Sequence, residues 1–316
     1  MPDAPSWKIW TALGAVYVIW STTFLAIAVT NETLPPLLAT ATRFLVAGGL
    51  LYAITVRLGD RVGDRPRASQ WRGAAVVGAL LMFAGNGGIV WAERTIPSGL
   101  AGLVIATVPL WMTGIDRVVF HHRQPRIVTV GLALGTLGAA VLLTGSVTFE
   151  DVDLSGVVVG VAAAIRWAAG SIYQRHAVLP HRPFVAAGME MLLAGGMFLV
   201  AGSAIGEWVD VRPARFSGAS ALALAYLIVV GSWIGFTSYL WLLRNARTSL
   251  VATYAYVTPV GAVVLGALVL DETLTIRTVI AGAVMLVGVA LIVTARPGSA
   301  PSEPGEQPGP KIEVEL

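Results

Sequence analysis

The sequence predicts an all-α membrane protein of about ten transmembrane helices, arranged as two inverted five-helix repeats. Three observations carry this. The 316 residues are 56% hydrophobic and only 12% charged, with a mean hydropathy of +0.75. A soluble domain carries about 25% charged residues. The apolar residues gather into ten runs, each close to the about 20 residues that cross a bilayer as a helix. The two halves of the chain also echo one another at a near-constant offset.

The runs cover 9–29, 37–58, 72–92, 98–120, 127–145, 155–175, 184–205, 219–242, 249–270 and 276–294. The first is too long for a signal-peptide core and has no small-residue cleavage motif, so it reads as a span. Connections such as TNETLPP, ERTIPSG and LDETLT leave no room for a soluble domain. Residues 296–316, RPGSAPSEPGEQPGPKIEVEL, have the Pro, Gly, Ser and Glu content of a disordered extension.

Orientation follows from Lys and Arg in the loops. One alternate set holds Lys8, Arg57, Arg61, Arg65, Arg67, Arg72, Arg117, Arg123, Arg126, Arg175, Arg182, Arg244, Arg247, Arg296 and Lys311. The other holds Arg94, Arg212, Arg215 and Arg277, together with Glu150, Asp151, Asp153, Asp271 and Glu272. The asymmetry puts both termini in the cytoplasm of a protein of the plasma (inner) membrane.

At an offset of 147, Trp20 matches Trp167, Pro36 matches Pro183, and Gly48 and Gly49 match Gly195 and Gly196. At 150, Trp91 matches Trp241, Leu100 matches Leu250, Pro109 matches Pro259, and Gly138 matches Gly288. Each match alone is weak, but their common order and offset indicate a duplication. Residues 1–146 and 155–295 are the expected repeats. Each has an odd number of spans, so the second enters the membrane from the opposite side. That is the inverted repeat of many secondary transporters, and it permits alternating access to a central site.

GNGGIVWAERTIPSGLAGLVIATVPLW (85–111) resembles a signature segment of EamA-type transporters in the drug/metabolite transporter superfamily. Further matches are VIWSTTF in the first span, PPLLATATRFLVAG in the second, AAIRWAAGSIYQR in the sixth and VATYAYVTPVGAVVLGALVLDETLT around the ninth. YedA-like exporters are the branch it most resembles. The resemblance covers residues 9–294 and implies export of small metabolites or drugs. It departs from the family at HHRQP (121–125), where many relatives carry a Gly-Glu pair, so nothing attached to that Glu transfers to this half.

Glu190 is the one acidic residue well inside a span, and its repeat mate is Arg43. An ionisable group at membrane depth is costly and is usually functional or paired. At about 1.5 Å per residue, Arg43 lies roughly 9 Å below the external surface. Glu190 lies at a similar depth below the other surface, so with a core of about 30 Å the two differ by roughly 12 Å in height. Heights instead suggest two couples, Arg43 with Glu93 and Arg166 with Glu190. The plainer reading is a set of static pairs, or an Arg43 that snorkels outward. Burial disfavours the charged form of a carboxylate and a nearby guanidinium favours it. A Glu190 that lost its partner during the access switch would therefore take up a proton and couple export to proton entry.

Tyr17, Trp20, Ser21 and Phe24 fall on one face of the first span. Asn86, Trp91, Trp111, Trp167, Tyr239, Tyr254 and Tyr256 are expected to converge with them on a solute cavity suited to amphipathic or cationic organic molecules. Trp7, Trp10, Trp71 and Trp208 lie near span ends and read as interfacial. Pro109 and Pro259, within matched spans, are candidate hinges or static kinks. The glycines of GLALG (131–135), GVVVG (156–160) and GSWIG (231–235) read as close packing within the chain, with a homodimer face as the alternative.

The chain has no cysteine, hence no disulfide and no thiolate metal site. No span contains His for a Ser–His pair, and neither Lys8 nor Lys311 sits in a GxxxxGK[ST] loop. An intramembrane enzyme is therefore the remote alternative. No metal, cofactor or nucleic-acid partner is expected. The expected partners are a small-molecule solute, the lipid bilayer and, in the coupled case, protons. An uncoupled facilitator with the same fold is the nearer alternative.

Overall fold

The computed structural model describes residues 5–57, 66–92, 95–96, 98–122, 124–143, 153–269 and 275–295. Within them lie ten helices long and apolar enough to cross a membrane: α1 (Ser6–Asn31), α2 (Pro36–Arg57), α3 (Ala68–Ala92), α4 (Leu100–Phe120), α5 (Arg126–Leu143), α6 (Leu154–His176), α7 (Pro183–Ala204), α8 (Gly218–Asn245), α9 (Thr248–Leu265) and α10 (Ile276–Thr294). The expected tail lies outside the described residues, as do Glu93, Arg94, Glu150, Asp151, Asp271 and Glu272.

The ends of these helices follow from local chemistry. Pro36 and Pro183, matched in the repeat, each stand first in their helix. There the missing N–H costs nothing and the fixed φ suits the first turn. Asp153 caps α6 by accepting from the Ser155 amide at 2.8 Å. Glu207, in a short 3₁₀ turn (Glu207–Asp210) after α7, caps a different helix: its carboxylate accepts from the amides of Leu37 (3.2 Å) and Leu38 (2.9 Å) at the start of α2. It satisfies two donors that a helix N-terminus leaves open and places negative charge at the positive end of the dipole.

Helices meet in the pairs that a pseudo-twofold axis requires. α2 packs along its mate α7, and α5 along its mate α10. α1 packs on α8 and α9, while α6 packs on α3 and α4. Lipid is as apolar as a helix face, so what draws spans together is close packing at small residues. A Cβ on Gly48 would stand 2.7 Å from the Leu192 amide nitrogen, and one on its mate Gly195 would stand 2.8 Å from that of Leu45. On the other side, Gly131 and Gly288 approach each other so closely that either Cβ would meet the opposite carbonyl at 2.6 Å. Gly160, Gly231 and Gly235 likewise face other helices of the same chain, and Gly156 faces Thr95 and Ile96 in the turn after α3.

The sequence did not announce one feature. α3 runs as a π-helix over Gly78–Asn86, and α8 does so over Leu227–Phe236. At the 150 offset these are the same segment. A π segment widens the turn and is frequent at functional sites. Both end beside the central cavity. The matched prolines behave differently from one another. Pro109 opens a new helical segment just after a break at Thr107, whereas Pro259 lies inside the continuous helix Tyr254–Val269.

Candidate functional site

The repeat mates Trp20 and Trp167 touch, with ring centroids 5.7 Å apart and planes at 74°. Around them close Phe236 (5.5 Å from Trp20), Tyr239 (4.8 Å) and Tyr254 (4.8 Å). The edge-to-face contacts of Trp20 with Trp167, Phe236 and Tyr254, and its tilted contact with Tyr239, hold the rings in place. Hydrogen bonds add to it: Trp167 Nε1 donates to the Tyr239 hydroxyl at 3.1 Å, which in turn meets Ser171 Oγ at 2.8 Å.

This cluster floors a cavity of about 380 Å³. From α1 the wall takes Trp20, Thr23, Ile27 and Asn31; from α3 and its π segment, Gly85, Asn86 and Ile89; from α6, Ala163 and Trp167; from α8 and α9, Phe236, Tyr254 and Thr258. Asn31 closes α1, and Asn86 and Ile89 stand near the end of α3, so the cavity lies in the half of the membrane away from the N-terminus. A smaller cavity shares Asn31, Arg43 and Asn86 and continues it past Thr40 and Leu224.

Arg43 is the one charged side chain among the described residues of that wall. It is 5% exposed. Its Nε donates to Ser232 Oγ, in the π segment of α8, at 2.9 Å. The guanidinium lies over Phe44 (5.1 Å) and Phe236 (5.6 Å). Two cation–π contacts and a buried hydrogen bond hold the charge without neutralising it.

The expectations separate here. Trp20, Asn86, Trp167 and Tyr254 line the cavity. Tyr239 is fully buried beneath it as a support. Tyr17 is tied to Thr253 by a hydroxyl–hydroxyl hydrogen bond and stands off the wall. Trp91 and Trp111 turn outward, 45% and 37% exposed. Tyr256 is off the cavity wall, buried against Gly135 of α5, with its hydroxyl at 3.0 Å from Thr136 Oγ1. The side chain of Phe24 and the whole of Glu93 lie outside the described residues, and the Arg43–Glu93 couple with them.

The Arg166–Glu190 couple does not form. Arg166 is exposed on the outer side of α6, while Glu190 is 0% exposed within α7 and, among the described residues, neither of its oxygens has a hydrogen-bond partner. Consecutive helix residues point about 100° apart. With Trp167 on the cavity, Arg166 turns away. Glu190 instead faces Gln174 of α6, without a hydrogen bond of ordinary geometry, and feels the charge of Arg244 on α8. A cationic solute also fits the cavity poorly, since it would meet Arg43 and, among the described lining residues, no carboxylate.

Missed residues include Thr23, Ile27 and Asn31, which continue the stripe begun by Trp20 at i+3, i+7 and i+11. That spacing was available in the sequence. Ser232 and Phe236 carried no signal, because their face is set by the π segment.

Comparison with known proteins follows the same lines. The model of the EamA-like transporter family matches twice, over residues 6–144 and 154–294. "Uncharacterized inner membrane transporter YedA" of Escherichia coli (strain K12) is 35% identical over 290 residues, covering 90% of each chain. "Probable amino-acid metabolite efflux pump" of Salmonella typhimurium is 27% identical, covering 86% of this chain and 89% of its own. A crystal structure aligns with a TM-score of 0.75 at 22% identity, covering 91% of this chain and 96% of its own, a likeness of fold alone.

Proposed function

The chain belongs to the EamA-like transporter family, and from that premise we propose that it is a secondary exporter that carries a small organic solute through the Trp20–Trp167 cavity by alternating access. The observation that carries the reading is the position of that cavity. It straddles the contact of two repeat mates, the one place where an inverted repeat can offer the same surface to either side in turn.

The asymmetry of the cavity supports the second half of the cycle. Arg43 and Ile27 line the open path; their mates at the 147 offset are Glu190 and Gln174, 0% and 1% exposed. Among the described residues, Glu190 Oε1 and Oε2 and Gln174 Oε1 have no hydrogen-bond partner. An unmet buried polar group costs about 1–3 kcal/mol. Exchange of conformation between the halves would open the mirror path toward the side of the termini and wet these atoms. A Glu190 that is wetted in one state and sealed in the other, beside Gln174 and under the charge of Arg244, is then the proton carrier of an antiporter. Its position outside the cavity wall makes it a coupling residue and not a solute ligand.

The test is reconstitution in liposomes with a trapped pH dye, comparing the native chain with Glu190→Gln. Solute-evoked proton flux in the native chain, lost in Glu190→Gln while solute counterflow persists, is the expected result. Equal solute movement without proton flux in both would make the protein a facilitator and Glu190 a helix-orienting residue. Efflux of amino-acid metabolites, the activity that the Salmonella relative's name gives, sets the first compounds to assay.

A further inference from the structure

We propose that the cavity selects an organic monocarboxylate, with an apolar or aromatic body and no ammonium group, by pairing its carboxylate with Arg43. This rests on the reading of the cavity as the solute path and assigns the solute's chemistry.

Arg43 is 5% exposed, lines the cavity, and spends only its Nε on the protein, on Ser232 Oγ at 2.9 Å. No acceptor among the described residues takes the protons of Nη1 and Nη2. Those two nitrogens form the edge that binds both oxygens of a planar carboxylate. Phe44 and Phe236 stand 5.1 and 5.6 Å from the guanidinium carbon, with ring planes at 76° to each other, and Nη2 lies beside Gly231 of α8; none of these is a hydrogen-bond acceptor for Nη1 or Nη2. Among the described residues no carboxylate meets this cation; a buried charge without a counter-ion is expensive, and an anionic solute supplies one where water is sparse. Much of the remaining wall is apolar, and Trp20, Trp167 and Phe236 line it as aromatic surface for the solute's body.

The same wall disfavours the alternatives. An α-ammonium sits beside its own carboxylate and would be brought against the guanidinium, with no acidic side chain among the described lining residues to receive it. A cationic amine would meet Arg43 directly. A neutral amide would leave the guanidinium unpaired. Asn86 and Asn31 stand on the Arg43 side of the cavity, and among the described residues neither amide is tied to another side chain. They are placed to complete the carboxylate's hydrogen bonds.

The test uses the full-length protein in nanodiscs and reads quenching of tryptophan fluorescence. The probes share one body: 3-phenylpropanoate, 3-phenylpropanamide, 2-phenylethylammonium and phenylalanine, with benzoate and hexanoate as further carboxylates. The expected result is at least about tenfold tighter binding of carboxylates than of the amide, the amine or the amino acid. Arg43→Gln abolishes that preference, and Arg43→Lys keeps part of it because the charge stays while the planar edge is lost. Thermal unfolding of both variants confirms that they are folded. Three results overturn the proposal: the amide, amine or phenylalanine binds as tightly as the carboxylates; Arg43→Gln leaves the preference unchanged; or no carboxylate binds. Counterflow of any other solute by the same protein in sealed proteoliposomes would leave the transporter reading standing; no counterflow with any compound would remove both.

Discussion

Trp20 and Trp167 occupy the same position in the two halves of the chain and rest against each other, 5.7 Å between centroids. A residue in contact with its own repeat mate lies on the pseudo-twofold axis, so the pair marks the centre of the inverted repeat. Aromatic pairs couple by about 0.5–1.5 kcal/mol beyond their buried area. A double-mutant cycle of Trp20→Ala and Trp167→Ala, read as solute affinity, should show coupling of that size. Strict additivity would mean that the two rings act apart.

The glycines of α2 separate packing from propensity. A Cβ on Gly48 would stand 2.7 Å from the backbone of α7, whereas one on Gly49 would meet only Leu192 Cδ2 at 3.7 Å. Gly48→Ala should destabilise the protein by about 1–3 kcal/mol through overpacking. Gly49→Ala should be neutral, or stabilise by up to about 1 kcal/mol through helix propensity. Thermal unfolding in one detergent measures both. Equal effects would contradict the backbone-to-backbone seam between α2 and α7.

Glu207 reaches across from the turn after α7 to the first amides of α2. Glu207→Gln keeps the shape and removes the charge, so it should cost about 1–2 kcal/mol, in the range of a charge-assisted cap. Hydrogen exchange at Leu37 and Leu38 should rise in the variant. Unchanged protection there would show that the cap is incidental.

The ten spans and the repeat were legible because both depend on run length and order, which a sequence displays directly. Rotation about each helix was not. A helix apolar all round hides the face it turns inward. Residue type and spacing therefore point Trp111, Trp91 and Tyr256 to a cavity that they do not line, and pair Arg166 with Glu190 although Arg166 is exposed on the outer side of α6. α1 is the exception. Its stripe from Trp20 to Asn31 has helical spacing with polar residues in it, and it lines the cavity as that spacing implies. The π segments of α3 and α8 shift the register of every later residue in their helices, and no local residue pattern announces them.

Exchange between two mirror-related states is tested most directly by labelling from the two membrane faces. The chain has no cysteine, so single thiols can be placed at will. Ile27 lines the open cavity, and its mate Gln174 is 1% exposed. In proteoliposomes, Ile27→Cys should react with a membrane-impermeant maleimide from the face away from the termini, and Gln174→Cys from the face of the termini. In the double variant, a bulky maleimide already on position 27 should wedge the cavity open. Labelling at position 174 should then slow by about tenfold or more, the effect of a shift of about 1.4 kcal/mol between the two states. A rate at position 174 that ignores the wedge would contradict alternating access about the Trp20–Trp167 centre.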